Sequence, residues 1–192
     1  MSRYKIAFLL LLLSAAFYSN AQDSSSIMLP QTSSAPLDKL SAGVGIGYEY
    51  GGIGANAIFY PQRNIGVFGG AGWYYVGVGY NAGIKLRAII NAPSTVIIPY
   101  LELMYGSNTF IYYRNNPEYN KRFYNYTIGG GIDIRPNNSK LGFISIAIYV
   151  PFRSPDIKNY TEGYIQHFYD VNPTNKLFWL NASIGYKFIL WK

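Results

Sequence analysis

The chain has 192 residues and no cysteine, and it carries a formal net charge of +7. The lack of cysteine excludes disulfides, thiol catalysis and cysteine metal sites. Charged residues make up only 13% of the chain, against roughly 25% in ordinary soluble domains. The basic excess is scattered and forms no stripe, which argues against nucleic-acid binding. Aromatic residues reach 18%, with 20 tyrosines, a composition that suits a surface in contact with lipid.

Residues 1–21 are predicted to be a secretory signal peptide. Arg3 and Lys5 precede an apolar run at 7–13, and Ser19-Asn20-Ala21 supplies small residues before a cleavage site ahead of Gln22. The alternative is a membrane anchor, but the run is short for a span and no stop-transfer charges follow it. We therefore expect an exported protein.

Residues 22–40 are rich in Ser, Pro and Gln, which predicts a flexible periplasmic leader. Its apolar residues Ile27, Met28 and Leu29 leave open the alternative that the leader plugs the following domain. Residues 41–192 are predicted to form that domain, because apolar and polar or small side chains alternate along them. Alternation with a period of two indicates strands with one apolar face.

Eight strands are predicted, separated in most places by turn residues. They span 41–50, 53–60, 65–74, 77–90, 96–106, 123–134, 141–150 and 177–190. Gly51-Gly52 indicates a two-residue hairpin that leaves Tyr48 and Tyr50 on the apolar face. The join at Tyr75-Val76 has no good turn residue, so one bulged strand is the alternative there. Pro99 predicts a local irregularity in the fifth strand.

The lengths of the connections alternate in the way that outer-membrane barrels show. Turns after the second, fourth and sixth strands are short, whereas the loops at 107–122 and 151–176 are long. Ten residues that rise about 3.4 Å each and tilt by about 40° span roughly 26 Å, which matches the apolar band of such barrels. The predicted fold is all-β, an eight-stranded antiparallel up-and-down transmembrane β-barrel.

The face of the strands opposite the apolar one indicates whether lipid or water surrounds the barrel. It is rich in glycine, for example Gly43, Gly45, Gly70 and Gly72, and glycine makes room for large neighbours inside a narrow barrel. A soluble lipocalin-like carrier, with its apolar face inside, is the competing arrangement. The few charges on this face are expected to form an internal network: Glu49, Lys85, Arg87, Glu102, Asp133 and Lys187. A Lys85–Glu102 pair within it predicts that a double charge reversal is tolerated; a narrow polar pore is the alternative reading of the same residues.

The sequence resembles small outer-membrane β-barrel proteins of Gram-negative bacteria, the OmpA-barrel and OmpW-like superfamily. The similarity lies in the Tyr60-Pro61-Gln62 turn, the start of the third strand at 64–68 and the glycine-aromatic segment at 79–83, and more weakly in 183–191. The resemblance implies insertion into the outer membrane by the barrel assembly machinery, with the aromatic-ended last strand as the signal. Lys192 after Trp191 departs slightly from that pattern. The resemblance carries over no substrate, cofactor or catalytic residue.

We expect no enzymatic role, no cofactor and no metal site. The single histidine, His167, has Asp170 nearby but no serine in its stretch, so a lipid A-modifying hydrolase is a minor alternative. The expected role is structural or adhesive through the two long loops, and a narrow channel for small polar solutes is the main alternative. Lipopolysaccharide phosphates are possible contacts of the loop residues Arg114, Lys121, Arg122, Arg153, Lys158 and His167. The sequence does not identify an external partner.

Overall fold

The computed structural model describes residues 37–74, 76–89, 97–136, 141–161 and 177–192. The expected signal peptide lies outside these ranges, as does the expected leader apart from its last four residues. These last residues already belong to the domain, because Asp38 is buried and the first strand begins at Leu40.

Eight antiparallel strands close into a barrel in chain order, and the eighth strand pairs with the first. The strands are β1 Leu40–Gly47, β2 Gly52–Phe59, β3 Ile65–Tyr74, β4 Gly77–Arg87, β5 Ile97–Ile111, β6 Lys121–Ile134, β7 Gly142–Pro151 and β8 Asn181–Trp191. This confirms the predicted all-β fold and its eight-stranded antiparallel barrel. The start of β1 and the end of β8 lie together at one end of the barrel, where Leu40 pairs with Trp191.

Several strand boundaries differ from the prediction. The break at 75–76 does separate two strands, since β3 ends at Tyr74 and β4 begins at Gly77. The β5–β6 hairpin is longer than expected, so the connection between these strands shortens to 112–120. The register of β5 shifts between Ser107 and Thr109 and not at Pro99, which stays in register with Ile132. The expectation of an irregularity at Pro99 was therefore wrong.

The alternation places apolar side chains on the outside of all eight strands. Ile53 is 68% exposed, and the same face continues around the ring through Val44, Val67, Ile84, Leu103, Tyr126, Ile146 and Ile184. The opposite face is buried and carries the polar and charged side chains together with a cluster of large apolar and aromatic ones, namely Ile58, Tyr60, Phe68, Tyr100, Met104 and Tyr149. Glycines on that face let the walls and the lumen contents approach closely.

The connection between β1 and β2 corrects the predicted hairpin. Residues Tyr48–Tyr50 form one turn of 3-10 helix, and Gly51 at its end adopts the left-handed conformation with φ +66°. The turn folds into the barrel, so that Glu49 and Tyr50 are buried. Tyr48 and Tyr50 were expected on the outer face, but their rings belong to the interior.

No helix within the described residues is long and apolar enough to cross a membrane. Besides the turn at Tyr48–Tyr50, the described chain has a 3-10 turn at Pro117–Tyr119 and a helical turn at Pro155–Lys158. Both lie in connections at the end of the barrel opposite the start of β1, which we call the loop end.

Candidate functional site

The middle of the lumen holds a lysine shared by two carboxylates. The Nζ atom of Lys85 lies 3.4 Å from Glu102 and 3.2 Å from Asp133, and all three side chains are fully buried. Lys85 also lies 3.3 Å from the centre of the Tyr100 ring. Lys85 and Glu102 stand directly opposite each other on β4 and β5.

Tyrosine and serine hydroxyl groups complete this cluster. The Tyr149 hydroxyl donates to Glu102 at 2.6 Å, and the Ser145 hydroxyl donates to Asp133 at 2.8 Å. Tyr100 and Ser145 share a further hydrogen bond at 2.8 Å. These bonds matter because buried charges are tolerated only when paired and hydrogen-bonded. The cluster thereby ties together β4, β5, β6 and β7.

A second ion pair joins the inward turn to the barrel wall. Lys187 on β8 donates to the Glu49 carboxylate, and the Asn56 amide donates to the same carboxylate at 2.8 Å. The backbone N–H of Glu49 donates to the Ser183 hydroxyl at 3.1 Å, and the Asn81 amide donates to the Tyr48 carbonyl. The turn is therefore held by side chains of three different strands.

Glycines form the seat of this turn. A β-carbon at Gly45 would lie 2.6 Å from the Tyr50 ring, and one at Gly54 or Gly72 would lie 2.5 Å from the Tyr50 carbonyl oxygen. Gly70 and Gly185 make equally close approaches to the Glu49 carbonyl and the Tyr50 hydroxyl. No larger residue fits at these positions without displacing the turn.

The lumen mouth at the start of β1 and the end of β8, which we call the terminal mouth, is bridged by Asp38. Arg87 donates to its carboxylate at 2.7 Å, and Arg135 makes a second ion pair with the same oxygen. Ser41 adds a short hydrogen bond. Burial alone would raise the pKa of Asp38, but Arg135, Ser41 and Arg87 outweigh that effect and hold the pKa below its usual range.

The six charges expected inside the barrel are all buried, and the structure adds two residues that sequence reasoning missed. Asp38 was assigned to the leader, and Arg135 directly follows the predicted sixth strand, which ends at residue 134. Only their position in the sequence could have indicated this role, since each lies within two residues of a strand end on the side of the barrel where β1 begins. With them, the described lumen holds four cationic and four anionic side chains. The cations are Lys85, Arg87, Arg135 and Lys187, and the anions are Asp38, Glu49, Glu102 and Asp133.

Two of the basic residues expected in the outer loops donate to backbone carbonyl groups. Arg122 donates to the Val78 carbonyl, and Arg153 donates to the carbonyl groups of Leu177 and Phe178. Lys121 lies 4.3 Å from the centre of the Tyr160 ring. The guanidinium groups of Arg122 and Arg153 therefore link neighbouring segments of the loop end. Arg114, Lys121 and Lys158 are exposed.

The sequence led to expectations about hydrolysis at His167 and about metal binding. His167 and Asp170 lie outside the described residues. Within the described ranges, no group of three or more His, Cys, Asp or Glu side chains is arranged to hold a metal ion. The buried carboxylates pair with lysine or arginine instead.

No protein-family model, no curated protein and no solved structure matches this chain.

Proposed function

We propose that the chain is an integral protein of the bacterial outer membrane, exported by residues 1–21 and without enzymatic activity. The observation that carries this proposal is the polarity of the barrel, with apolar side chains exposed on all eight strands and the charged pairs buried inside. Exposed apolar patches on soluble monomers rarely exceed a few hundred Å². A continuous apolar belt with an ionic core is the arrangement expected of a barrel surrounded by lipid.

The same observation argues against a soluble lipocalin-like carrier. Such a carrier would hold an apolar ligand in an apolar lumen, whereas this lumen contains paired lysine, arginine and carboxylate side chains. A permanently open channel is also disfavoured, because the Tyr48–Tyr50 turn and its hydrogen bonds occupy the lumen near the loop end.

The role that fits a closed barrel is structural or adhesive, through its loop end. The exposed Arg114, Lys121 and Lys158 lie in these loops, where cations can contact phosphate groups of lipopolysaccharide. Exposed tyrosines surround the same end of the strands, among them Tyr80, Tyr105 and Tyr126, and such rings favour the headgroup level of a membrane.

Fractionation combined with gel mobility tests the membrane proposal. We expect the mature protein in the outer-membrane fraction, with an electrophoretic mobility that changes on heating because the barrel unfolds only then. A protein that stays monodisperse in buffer without detergent would contradict the proposal.

Lipid retention tests the proposed role of the loop end. A variant with Arg114→Ala, Lys121→Ala and Lys158→Ala should retain less lipopolysaccharide phosphate after purification in mild detergent. The control, Lys39→Ala with Lys192→Ala, removes cations beside the chain ends and should retain the normal amount. Equal loss in both variants would show that the loops are not the contact surface.

A further inference from the structure

Four tyrosines face outward side by side on β4, β5 and β6 at the loop end, and we call them the tyrosine patch: Tyr80, Tyr105, Tyr124 and Tyr126. The Tyr80 and Tyr124 rings stack with their centres 5.3 Å apart, and their hydroxyl groups are hydrogen-bonded to each other. The Tyr105 and Tyr126 rings meet edge to face with their centres 5.1 Å apart. Since Tyr124 and Tyr126 are neighbours on the outer face of β6, the two ring pairs adjoin. The patch therefore presents four rings and their hydroxyl groups to the surroundings of the barrel.

Arg122 lies on the same face of β6 and adds a positive charge beside the patch. Its guanidinium donates to the Val78 carbonyl and acts electrostatically on the Tyr80 hydroxyl. Among the described residues, no carboxylate forms an ion pair with Arg122. Because a guanidinium has five N–H donors, the bond to Val78 leaves donors and an unneutralised charge for an anion.

The patch occupies one sector of the barrel wall. At the loop end the other strands present outward side chains that carry no hydroxyl group, namely Ile46, Ile53, Trp73, Ile148 and Ile184. A general interfacial belt would distribute its tyrosines around the whole ring. Within the described strands, the outward tyrosines of the loop end are confined to β4, β5 and β6, which indicates a local site.

We propose that the tyrosine patch and Arg122 bind the headgroup of a phosphorylated glycolipid of lipid A chemistry, which reaches the barrel from within the outer leaflet. This inference rests on the proposed membrane insertion. It deepens the proposed contact with lipopolysaccharide, because it assigns a specific site on the side wall of the barrel in addition to the cations of the loops.

Each part of such a headgroup has a partner in this site. An arginine binds a phosphate through charge-assisted hydrogen bonds in a geometry that suits its planar guanidinium. Tyrosine combines an apolar ring, on which the C–H groups of a sugar can pack, with a hydroxyl that bonds to sugar hydroxyl groups. The patch lies where the apolar outer face meets the loop end, which is the level of the lipid headgroups.

A row of small side chains leads away from the patch along the outer wall. From Tyr105, the successive ladder partners on β4, β3, β2 and β1 are Ala82, Gly69, Ala57 and Ala42. The same row continues through Phe188 to Gly142, the first residue of β7. In the other direction it reaches Tyr126, whose carbonyl accepts from the N–H of Phe152, beyond the end of β7. The row therefore descends from the loop end toward the end of the barrel where β1 begins.

Larger side chains border this row, because the parallel row beside it holds Phe59, Val67 and Ile84. The small residues thus line a shallow furrow that is about 14 Å long from β1 to β4, at about 4.8 Å between strands. A furrow in the apolar face that begins at the patch suits an acyl chain of the same molecule. It favours a lipid over a free phosphate or a soluble sugar as the occupant of the site.

Native mass spectrometry of the full mature chain in mild detergent, titrated with diphosphorylated lipid A, tests the proposal. We expect the wild type to bind lipid A, and Arg122→Gln should weaken this binding about tenfold or more, because hydrogen bonds to a charged group are lost. Arg153→Gln is the matched control, since Arg153 also donates to backbone carbonyl groups at the loop end, and it should bind as wild type. Absence of binding by the wild type, or equal weakening in both variants, would overturn the proposal.

The tyrosine hydroxyl groups are tested by a variant that keeps the rings. Tyr80→Phe combined with Tyr124→Phe should weaken lipid A binding about fivefold, because hydrogen bonds to the sugar are lost. Tyr186→Phe, on the outer face of β8, is the control and should bind as wild type. An unchanged affinity of the double variant would count against the site.

Two further lipids separate the phosphate from the sugar. Phosphatidylglycerol has a phosphate but no sugar ring and should bind at least about tenfold more weakly than lipid A. Lipid A without its phosphates should bind equally to the wild type and to Arg122→Gln. Equal affinities for phosphatidylglycerol and lipid A, or an effect of Arg122→Gln on the form without phosphates, would overturn the proposal.

Nitration with tetranitromethane keeps the inference testable if Arg122→Gln does not fold. In the wild type, lipid A should remove most of the reactivity of Tyr124 and Tyr126 and leave that of Tyr186 unchanged, as read from peptide masses. Unchanged nitration of the patch, or an equal loss at Tyr186, would overturn the proposal.

The outcomes distinguish this inference from the proposed function. A mature chain that stays monodisperse without detergent would overturn both. Lipid A binding that is lost with Arg114→Ala, Lys121→Ala and Lys158→Ala but is unaffected by Arg122→Gln would support the loop contact and overturn this inference alone.

Discussion

At the scale of single residues, the lumen is organised around cations and carboxylates that share partners. Lys85 forms ion pairs with both Glu102 and Asp133, and Asp38 forms ion pairs with both Arg87 and Arg135. An isolated Lys85–Glu102 pair would tolerate a charge reversal, but the shared partners lead to a different prediction. The reversal would place a carboxylate at position 85 beside Asp133 and would remove the acceptor of the Tyr149 hydroxyl, so the double variant should be less stable than wild type.

Replacing Lys85 with Met should destabilise the barrel by about 3–5 kcal/mol, because two buried carboxylates lose their common cation. The free energy of unfolding in urea, measured in lipid vesicles, checks this. Adding Glu102→Gln and Asp133→Asn to the Met variant should recover at least half of the loss. A triple variant no more stable than the single one would show that packing of the lysine stem, and not charge, is the cause.

Asp38→Asn should cost about 3 kcal/mol at pH 7, since it leaves Arg87 and Arg135 without their shared carboxylate. The pKa of Asp38 is lowered in the folded state from 3.8. Its stabilising effect is therefore complete above that unfolded value and disappears as the pH falls through the lower folded value. The difference in unfolding free energy between wild type and variant should shrink between pH 5 and about pH 2. A difference that stays constant with pH would contradict the ion pairs.

At the scale of elements, the sequence predicts the strands well and the β1–β2 connection poorly. Tyr48, Glu49 and Tyr50 continue the alternation of β1, and Gly51-Gly52 has the composition of a two-residue hairpin. No local pattern therefore marks the inward turn. The informative signal is tertiary: the inner face of β1–β4 has many glycines and few large side chains, so something else must fill the lumen. Asp38 was missed for a similar reason, because its partners lie on β4 and just after β6.

The glycine seat of the Tyr48–Tyr50 turn predicts different effects for two valine substitutions. Gly45→Val would crowd the Tyr50 ring and should destabilise the barrel by about 1–3 kcal/mol or more, the usual cost of overpacking. Gly69→Val lies on the outer face, where the nearest atom to a β-carbon is 4.0 Å away, and should be neutral or slightly stabilising. Urea unfolding of the two variants in vesicles provides the comparison. Similar losses in both would mean that the seat is not tightly packed.

At the scale of the whole molecule, the polarity of the barrel follows from the alternation alone. The outer residues Ile144, Ile146, Ile148 and Ile184 were expected on the apolar face and are exposed in the structure. This could be predicted because a strand's side chains alternate strictly, so one register assignment fixes every residue of the strand. The contents of the lumen depend instead on residues far apart in sequence, such as Glu49 and Lys187.

The membrane proposal predicts a dependence on depth for charges placed on the outside. Ile146→Arg, at the middle of β7, should cost about 2–4 kcal/mol in vesicles, whereas Leu141→Arg, next to the β7 end, should cost about 0–1 kcal/mol. Unfolding free energies in lipid vesicles measure both. Equal costs at the two positions would indicate that no hydrocarbon layer surrounds the middle of the strands.

The pairing of β1 with β8 has a consequence for biogenesis. Leu40 and Trp191, which are partners in the closed barrel, are far apart in sequence, so the last pair of strands cannot form until β8 has been synthesised. Until then both edge strands of the open sheet expose unpaired amide and carbonyl groups, together with the apolar outer face. Such edges readily recruit other polypeptides. A chain that lacks β8 is therefore expected to leave β1 and β7 as unpaired edges that associate with other chains.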